Sequence, residues 1–330
     1  MSDTLHSSKK VTTMTRRNVL VGAGIGTVLL TTGMVTTEAA SAAPANAEPF
    51  GYCLNTSTIR GQKLSLIEEM EIAAKAGYSG LEPWVNELQE YANNGGSLSD
   101  LKKRATDLGL TIENAIAFAD WANDDDAKRA QGVEEWQRNA EIVAAIGGRR
   151  IAAPPNAGYE IALDLRAVAD RYRHILALGR EIGVVPQLEM WGSSKTMSRM
   201  SELSYVLIET AQPDACGLLD AYHIYRGGSD FAGLRFFNGA NLHVFHVNDY
   251  PADPPREKLS SPDRVYPGNG ICPLVTMLRD LVAIGFRGML SLELFNQEYW
   301  KQDALVVART GLEKIRALVQ QAMQSGANNR

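Results

Sequence analysis

The feature that most constrains this chain is a rhythm. From Phe50 onward, short β-type runs alternate with longer segments of helical periodicity. Eight such runs can be marked: Phe50–Asn55, Gly80–Trp84, Leu110–Phe118, Arg149–Pro154, Val184–Trp191, Cys216–Tyr222, Leu242–Asn248 and Met289–Phe295. Between them lie amphipathic segments such as Leu64–Ala76, Leu98–Leu108, Val133–Ile146 and Leu163–Ile182. Glycines at 77, 109, 147, 183 and 285 stand where helices should stop. Eight strands alternating with helices over roughly 250 residues is the count of a (β/α)8 barrel. The expected fold is therefore α/β, a single (β/α)8 TIM barrel over residues 48–330. An open doubly wound sheet fits less well, because Asn55-Thr56-Ser57-Thr58-Ile59-Arg60 after the first run is no glycine-rich phosphate loop.

The first 47 residues read differently. Arg16-Arg17 precedes an uncharged apolar run, Val19 to Leu30, and a small-residue stretch ends at Ala45-Asn46-Ala47. That is the build of a secretory signal peptide, and the paired arginines are of the twin-arginine type. The expectation is export to a bacterial periplasm through the twin-arginine machinery, with cleavage near Ala47. The run is short for a bilayer span, which needs about 20 residues, so an uncleaved anchor is the lesser alternative. The leader holds four of the 33 basic and two of the 38 acidic side chains, leaving 29 basic and 36 acidic in the remaining 283 residues, a net charge of −7. A body that acidic is a poor partner for nucleic acid. Cys53, Cys216 and Cys272 are far apart and odd in number, and read as small apolar residues rather than a disulfide framework.

Barrel active sites gather at the C-terminal ends of the strands. Four late runs carry an ionisable residue there. Alternation puts Leu188 and Met190 on one face of the fifth run and Glu189 on the other. Asp220 ends the sixth, His246 shares a face with Leu242, Val244 and Asn248 in the seventh, and Ser291 and Glu293 oppose three leucines in the eighth. Three carboxylates converging on one rim would repel each other strongly, and a divalent ion resolves this. Three carboxylates and one imidazole suit Mn²⁺ best, with Mg²⁺, Co²⁺ or Zn²⁺ as alternatives. His243 falls on the opposite face from His246, and His174 lies in a helical run; both read as structural. His223, at the strand exit, is a candidate to bind substrate. Glu82, late in the second run, is a weaker candidate lying behind the site.

At these residues the sequence resembles the xylose isomerase-like TIM-barrel superfamily, and within it the inosose (2-keto-myo-inositol) isomerase branch. The resemblance implies metal ligands Glu189, Asp220, His246 and Glu293 at the ends of strands five to eight. The Asp-x-x-His signature matches Asp220 and His223. The stretch Asp263-Arg264-Val265-Tyr266-Pro267-Gly268-Asn269-Gly270 resembles the branch's D-R-V-x-P-G-x-G loop, and Ser291 to Phe295 with Glu298 to Lys301 resembles its last strand and loop. One departure concerns the ketose epimerases, which place an arginine six residues after the metal histidine; here that place is Ala252.

Together these readings lead to a metal-dependent isomerase or epimerase that moves an α-proton on a polyhydroxy ketone, inosose-like or a ketosugar, through an enediolate. Glu189 and Glu293 would exchange the proton, and Asp220 and His246 would hold the ion. His223, Arg264, Lys301 and Trp191 would bind substrate, with Trp84 and Trp300 as further walls; for Arg264 a loop ion pair with Asp263 or Glu257 is the structural alternative. The expected partners are a small carbohydrate or cyclitol and, optionally, a second copy of the chain. The rivals are a lyase or hydrolase of 3-keto-glycosides working by β-elimination in the same site, and a non-catalytic exported sugar-binding protein. A DNA-cutting relative of the superfamily is disfavoured by charge and by the few histidines.

Overall fold

The computed structural model describes residues 48–327, so the leader assigned to residues 1–47 lies outside the described residues. Each β-type run yields a strand: β1 Gly51–Asn55, β2 Gly80–Glu82, β3 Thr111–Ile112, β4 Arg150–Ala152, β5 Val185–Glu189, β6 Cys216–Asp220, β7 Leu242–Val247 and β8 Met289–Leu292. The ladders are all parallel, in the order β3-β2-β1-β8-β7-β6-β5-β4. The ends of that series meet. Arg149 N–H donates to the Ile112 carbonyl at 3.3 Å, and Ala152 N–H to that of Ala115 at 2.8 Å. The sheet is thereby curled into the TIM barrel expected.

The third strand is much shorter than its run, Leu110–Phe118. Beyond Ile112 the backbone changes partners, with Ala115 bonded to β4 and Ile116 bridged to Trp84. Helices return the chain between strands, among them Leu66–Ala76, Asp126–Ala145, Leu165–Ile182 and Met200–Thr210. The first is fixed at its start by a capping box between Ser65 and Glu68. The five glycines marked as helix stops all have φ between 71° and 101°.

The strands divide their side chains by parity. Leu188, Leu219, Phe245 and Leu290 face outward into one large core beneath the helices. Ile116, Ala152, Leu218 and Val244 face inward and form a separate small cluster. This inner plug, in which Ile116, Leu218 and Val244 contribute about 1.5–3 kcal/mol each, closes the barrel below the site. Two residues further along the same strands come Asp220 after Leu218 and His246 after Val244. The register then sets Asp220 beside His246 and His246 beside Ser291. Cys53 and Cys216 are buried, and all three cysteines are free thiols.

Candidate active site

Four residues expected at the strand ends converge. Around His246 Nδ1 lie Glu293 Oε2 at 3.3 Å, Asp220 Oδ2 at 3.7 Å and Glu189 Oε1 at 4.0 Å. Asp220, His246 and Glu293 each offer an atom within 4.8 Å of the others, and all three are buried. The imidazole is aimed from behind, since its Nε2 lies 3.0 Å from Glu82 Oε1. Glu82 also accepts from Asn114 on the same oxygen and from Asn55 and Ser291 on the other, at 2.7–2.8 Å. A carboxylate with four donors is held as an anion: despite complete burial its pKa lies below the ordinary value, lowered by His246 and Asn114. Glu82 thus leaves Nδ1 as the nitrogen that faces the three other carboxylates.

The Asp-x-x-His spacing has a local cause. Asp220 caps the short helix Ala221–Arg226, its Oδ1 accepting from the His223 backbone N–H at 2.9 Å, so one carboxylate turns the chain and still presents Oδ2 to the site. Asn248 donates to that Oδ2 at 3.0 Å and accepts from Tyr222 N–H, fixing both. His223 is buried and kept neutral, chiefly by burial and then by Arg264. Its Nδ1 accepts from Gly192 N–H at 3.2 Å, which places the ring proton on Nε2. That approach requires glycine, because a Cβ at 192 would sit 2.4 Å from the His223 carbonyl oxygen.

Arg264 lies at the site, where it was expected to bind substrate, and the loop ion pair offered as its alternative does not form. It pairs with neither Asp263 nor Glu257. It is 2% exposed and reaches into the cluster, Nη1 lying 2.6 Å from Glu293 Oε2 and 3.0 Å from Asp220 Oδ2. A loop thus supplies a cation to the rim. Its Nη2 lies 3.3 Å from His223 Nε2, so two donors face each other with no acceptor between them. The loop is tied down by Asp249, whose two oxygens accept from the N–H groups of Tyr250, Gly268, Gly270 and Cys272 at 2.8–3.0 Å. Gly270 allows this: a Cβ there would fall 2.1 Å from the Tyr250 carbonyl oxygen. The P-G-x-G signature is thus the mount for Arg264.

The carboxylates differ in their surroundings. Burial opposes ionisation of Glu293, yet His246 and Arg264 hold its pKa far below the usual range. Glu189 has His246 but not Arg264 beside it, and burial, aided by Glu293 and Asp220, pushes it up to about 8. Its Oε2 and the Nδ1 of His246 are buried ligand atoms without a hydrogen-bond partner. Two open ligand atoms beside two further carboxylates, in an acid-rich pocket that Arg264 alone does not neutralise, fit a divalent cation.

Above the cluster opens a cavity of about 380 Å³ that includes Glu189, His223, Arg264 and Glu293 in its lining. One wall is an arc of rings, Phe295, Trp84, Phe118, Trp191 and Tyr159, with successive centroids 5.1–6.0 Å apart. Trp84 and Trp191 were expected there. Phe118, Tyr159 and Phe295 were missed, although Phe118 and Phe295 end two β-type runs and so had to sit on this rim. Lys301 is not at the site: its side chain is 68% exposed and paired with Glu298 on the surface. Trp300 also lies apart, its indole donating to the Ser57 carbonyl at 3.0 Å. His243 is half-buried on the outer strand face, and His174 lies exposed on its helix.

A family model described as Xylose isomerase-like TIM barrel matches residues 70–318. The chain belongs to that family. Among its relatives is the inosose isomerase of Bacillus velezensis, 27% identical over 81% of this chain and 96% of that protein. The 3-dehydroshikimate dehydratase of Pseudomonas aeruginosa is 26% identical over 76% of this chain but only 39% of its own length. Among solved structures, the IOLI protein with a bound zinc atom superposes with a TM-score of 0.76 at 23% identity, covering 83% of this chain and 99% of that one. Within the family, this chain holds the Glu, Asp, His, Glu cluster and the arginine-bearing loop together at one mouth.

Proposed function

We propose that this family member is a divalent-metal-dependent isomerase or epimerase acting on a polyhydroxy ketone, an inosose or ketosugar, by moving a proton from the carbon beside the carbonyl. The observation that carries this reading is the buried meeting of Glu189, Asp220, His246 and Glu293 with two ligand atoms left open. A divalent ion held by these four side chains would supply Lewis-acid polarisation of a carbonyl and its neighbouring hydroxyl. Mn²⁺ suits the oxygen-rich set best, and the zinc of the IOLI structure keeps Zn²⁺ in view.

The chain's own residues divide the remaining work. Glu189 would keep one carboxylate oxygen for the ion and with the other take the α-proton and return it to the neighbouring carbon. Glu293 stays an anion, pinned by Arg264 and His246, and positions rather than transfers. His223 Nε2–H and Arg264 Nη2–H converge on one point, where they stabilise the oxygen that gains negative charge as the enediolate forms. The ring arc takes the apolar face of the substrate and excludes water.

A second reading uses the same base: where the substrate bears a leaving group β to the carbonyl, proton removal ends in elimination, as in a lyase of 3-keto-glycosides. The dehydratases among the relatives favour keeping it. Metal analysis followed by solvent-deuterium exchange over inososes and 3-ketosugars tests both. Chelator-sensitive incorporation without loss of a substituent supports isomerisation, and release of a free alcohol supports elimination. We further propose, from Arg16-Arg17 and the apolar run behind it, that residues 1–47 direct export to the periplasm.

A further inference from the structure

A second cavity, of about 410 Å³, lies beside the first and shares Trp84, Ile116 and Phe118 with it. It is bordered by Arg60, by Asn86 and Gln89 on the helix Val85–Asn93, and by Asn139 on the helix Asp126–Ala145. Its polar groups are poorly engaged. Asn139 is 4% exposed, and its Oδ1 accepts from Gln89 Nε2 at 2.8 Å, while its amide nitrogen donates to nothing in the protein. Arg60 sits over the Trp84 ring at 3.7 Å, its Nη2 turned away from the groove and 3.6 Å from Glu87 Oε1. The open Asn139 amide, set beside the edges of Trp84 and Phe118, forms a surface for hydroxyl groups and a C–H face. A purely apolar group there would strand the Asn139 donor. An anion is disfavoured by Glu135 on the same rim.

We propose that the substrate carries a second sugar ring, seated in this groove across the Trp84–Phe118 edge, while its keto ring lies over Glu189 and Glu293. This rests on the proton-transfer reading above and narrows it from single-ring ketones to glycosides of a keto sugar.

The test compares the full metal-loaded chain on 3-ketoglucose and on the 3-keto derivative of a glucose disaccharide, following deuterium exchange and binding by calorimetry. The two-ring compound is expected to show a KM and a Kd roughly tenfold lower, the value of one or two well-placed hydrogen bonds. Asn86→Trp fills the groove from an exposed helix position. It should raise both constants about tenfold for the two-ring compound and leave the one-ring compound within about twofold. Equal affinity for the two compounds, or a variant that weakens both alike, overturns the second-ring proposal and leaves the proton-transfer reading standing. If neither compound exchanges deuterium, that reading fails instead, and the calorimetric comparison alone decides whether the groove takes a second ring.

Discussion

Changing Glu82 to glutamine probes the site without touching any of the four candidate ion ligands. Glu82 Oε1 takes the Nε2 proton of His246 at 3.0 Å and the Asn114 amide at 2.8 Å, and Oε2 takes Asn55 and Ser291. A glutamine offers one acceptor edge and one donor edge. With its NH₂ towards Asn114 and His246, the imidazole proton must shift to Nδ1, and the nitrogen that should bind the ion is blocked. With its NH₂ towards Asn55, two amide donors oppose each other in the barrel interior, at a cost of about 1–3 kcal/mol. Loss of a carboxylate behind a ligating histidine typically lowers ion affinity 10- to 100-fold, about 1.4–2.8 kcal/mol. Calorimetric titration of the ion-free protein with Mn²⁺ and Zn²⁺ should show that loss, and scanning calorimetry should show a lower melting temperature without ion. Should Glu82→Gln bind ions within about twofold of the wild type while His246→Ala abolishes binding, orientation of His246 by Glu82 is refuted. A wild-type protein that binds neither ion removes the metal reading altogether.

Three further outcomes are expected. Glu69, on the helix Leu66–Ala76, is 4% exposed, and burial, aided by Glu87, pushes its pKa up to about 9. A carboxyl raised in the fold stabilises least when it should be ionised. Stability is full below the unfolded value and is lost as pH rises towards about 9, at about 1.4 kcal/mol per unit. Glu69→Gln should therefore raise the melting temperature at pH 8 by several degrees and hardly at all near pH 4.5; a pH-independent effect contradicts the assignment. Lys301→Ala should leave kcat/KM within about twofold in the exchange assay, since exposed ion pairs contribute about 0–1 kcal/mol; a tenfold loss would restore Lys301 to the site. Replacing Arg16 and Arg17 together by lysine should retain the chain inside the cell on fractionation, and unchanged periplasmic delivery would reject the twin-arginine assignment.

Much of the fold was written in local pattern. Parity along β5 to β8 separates Leu188, Leu290 and Leu292 from Glu189 and Glu293, and glycines at 77, 109, 147, 183 and 285 stop the helices through backbone conformations open chiefly to glycine. Because a parallel strand rises about 3.3 Å per residue and all eight point the same way, late polar residues had to meet at one rim. That much needs no coordinates.

Arg264 was legible as a site residue, but the partners of its charge were not. Its neighbours Asp263 and Glu257 are near in sequence, but Coulomb attraction acts over distance in space. The Asp249-anchored loop carries the guanidinium to Asp220 and Glu293. Lys301 is the converse: it shares a motif with the last strand, yet the turn Tyr299–Lys301 directs it to solvent and Glu298. The proton on His223, fixed by Gly192 N–H, and the ring arc from Phe295 to Tyr159 likewise depend on segments far apart along the chain. Periodicity determines which face a side chain takes on its own element, and so the sequence alone settled the barrel and the residues around its mouth. The partner each charge finds there depends on how separate elements close around the axis, and only the tertiary structure decided that.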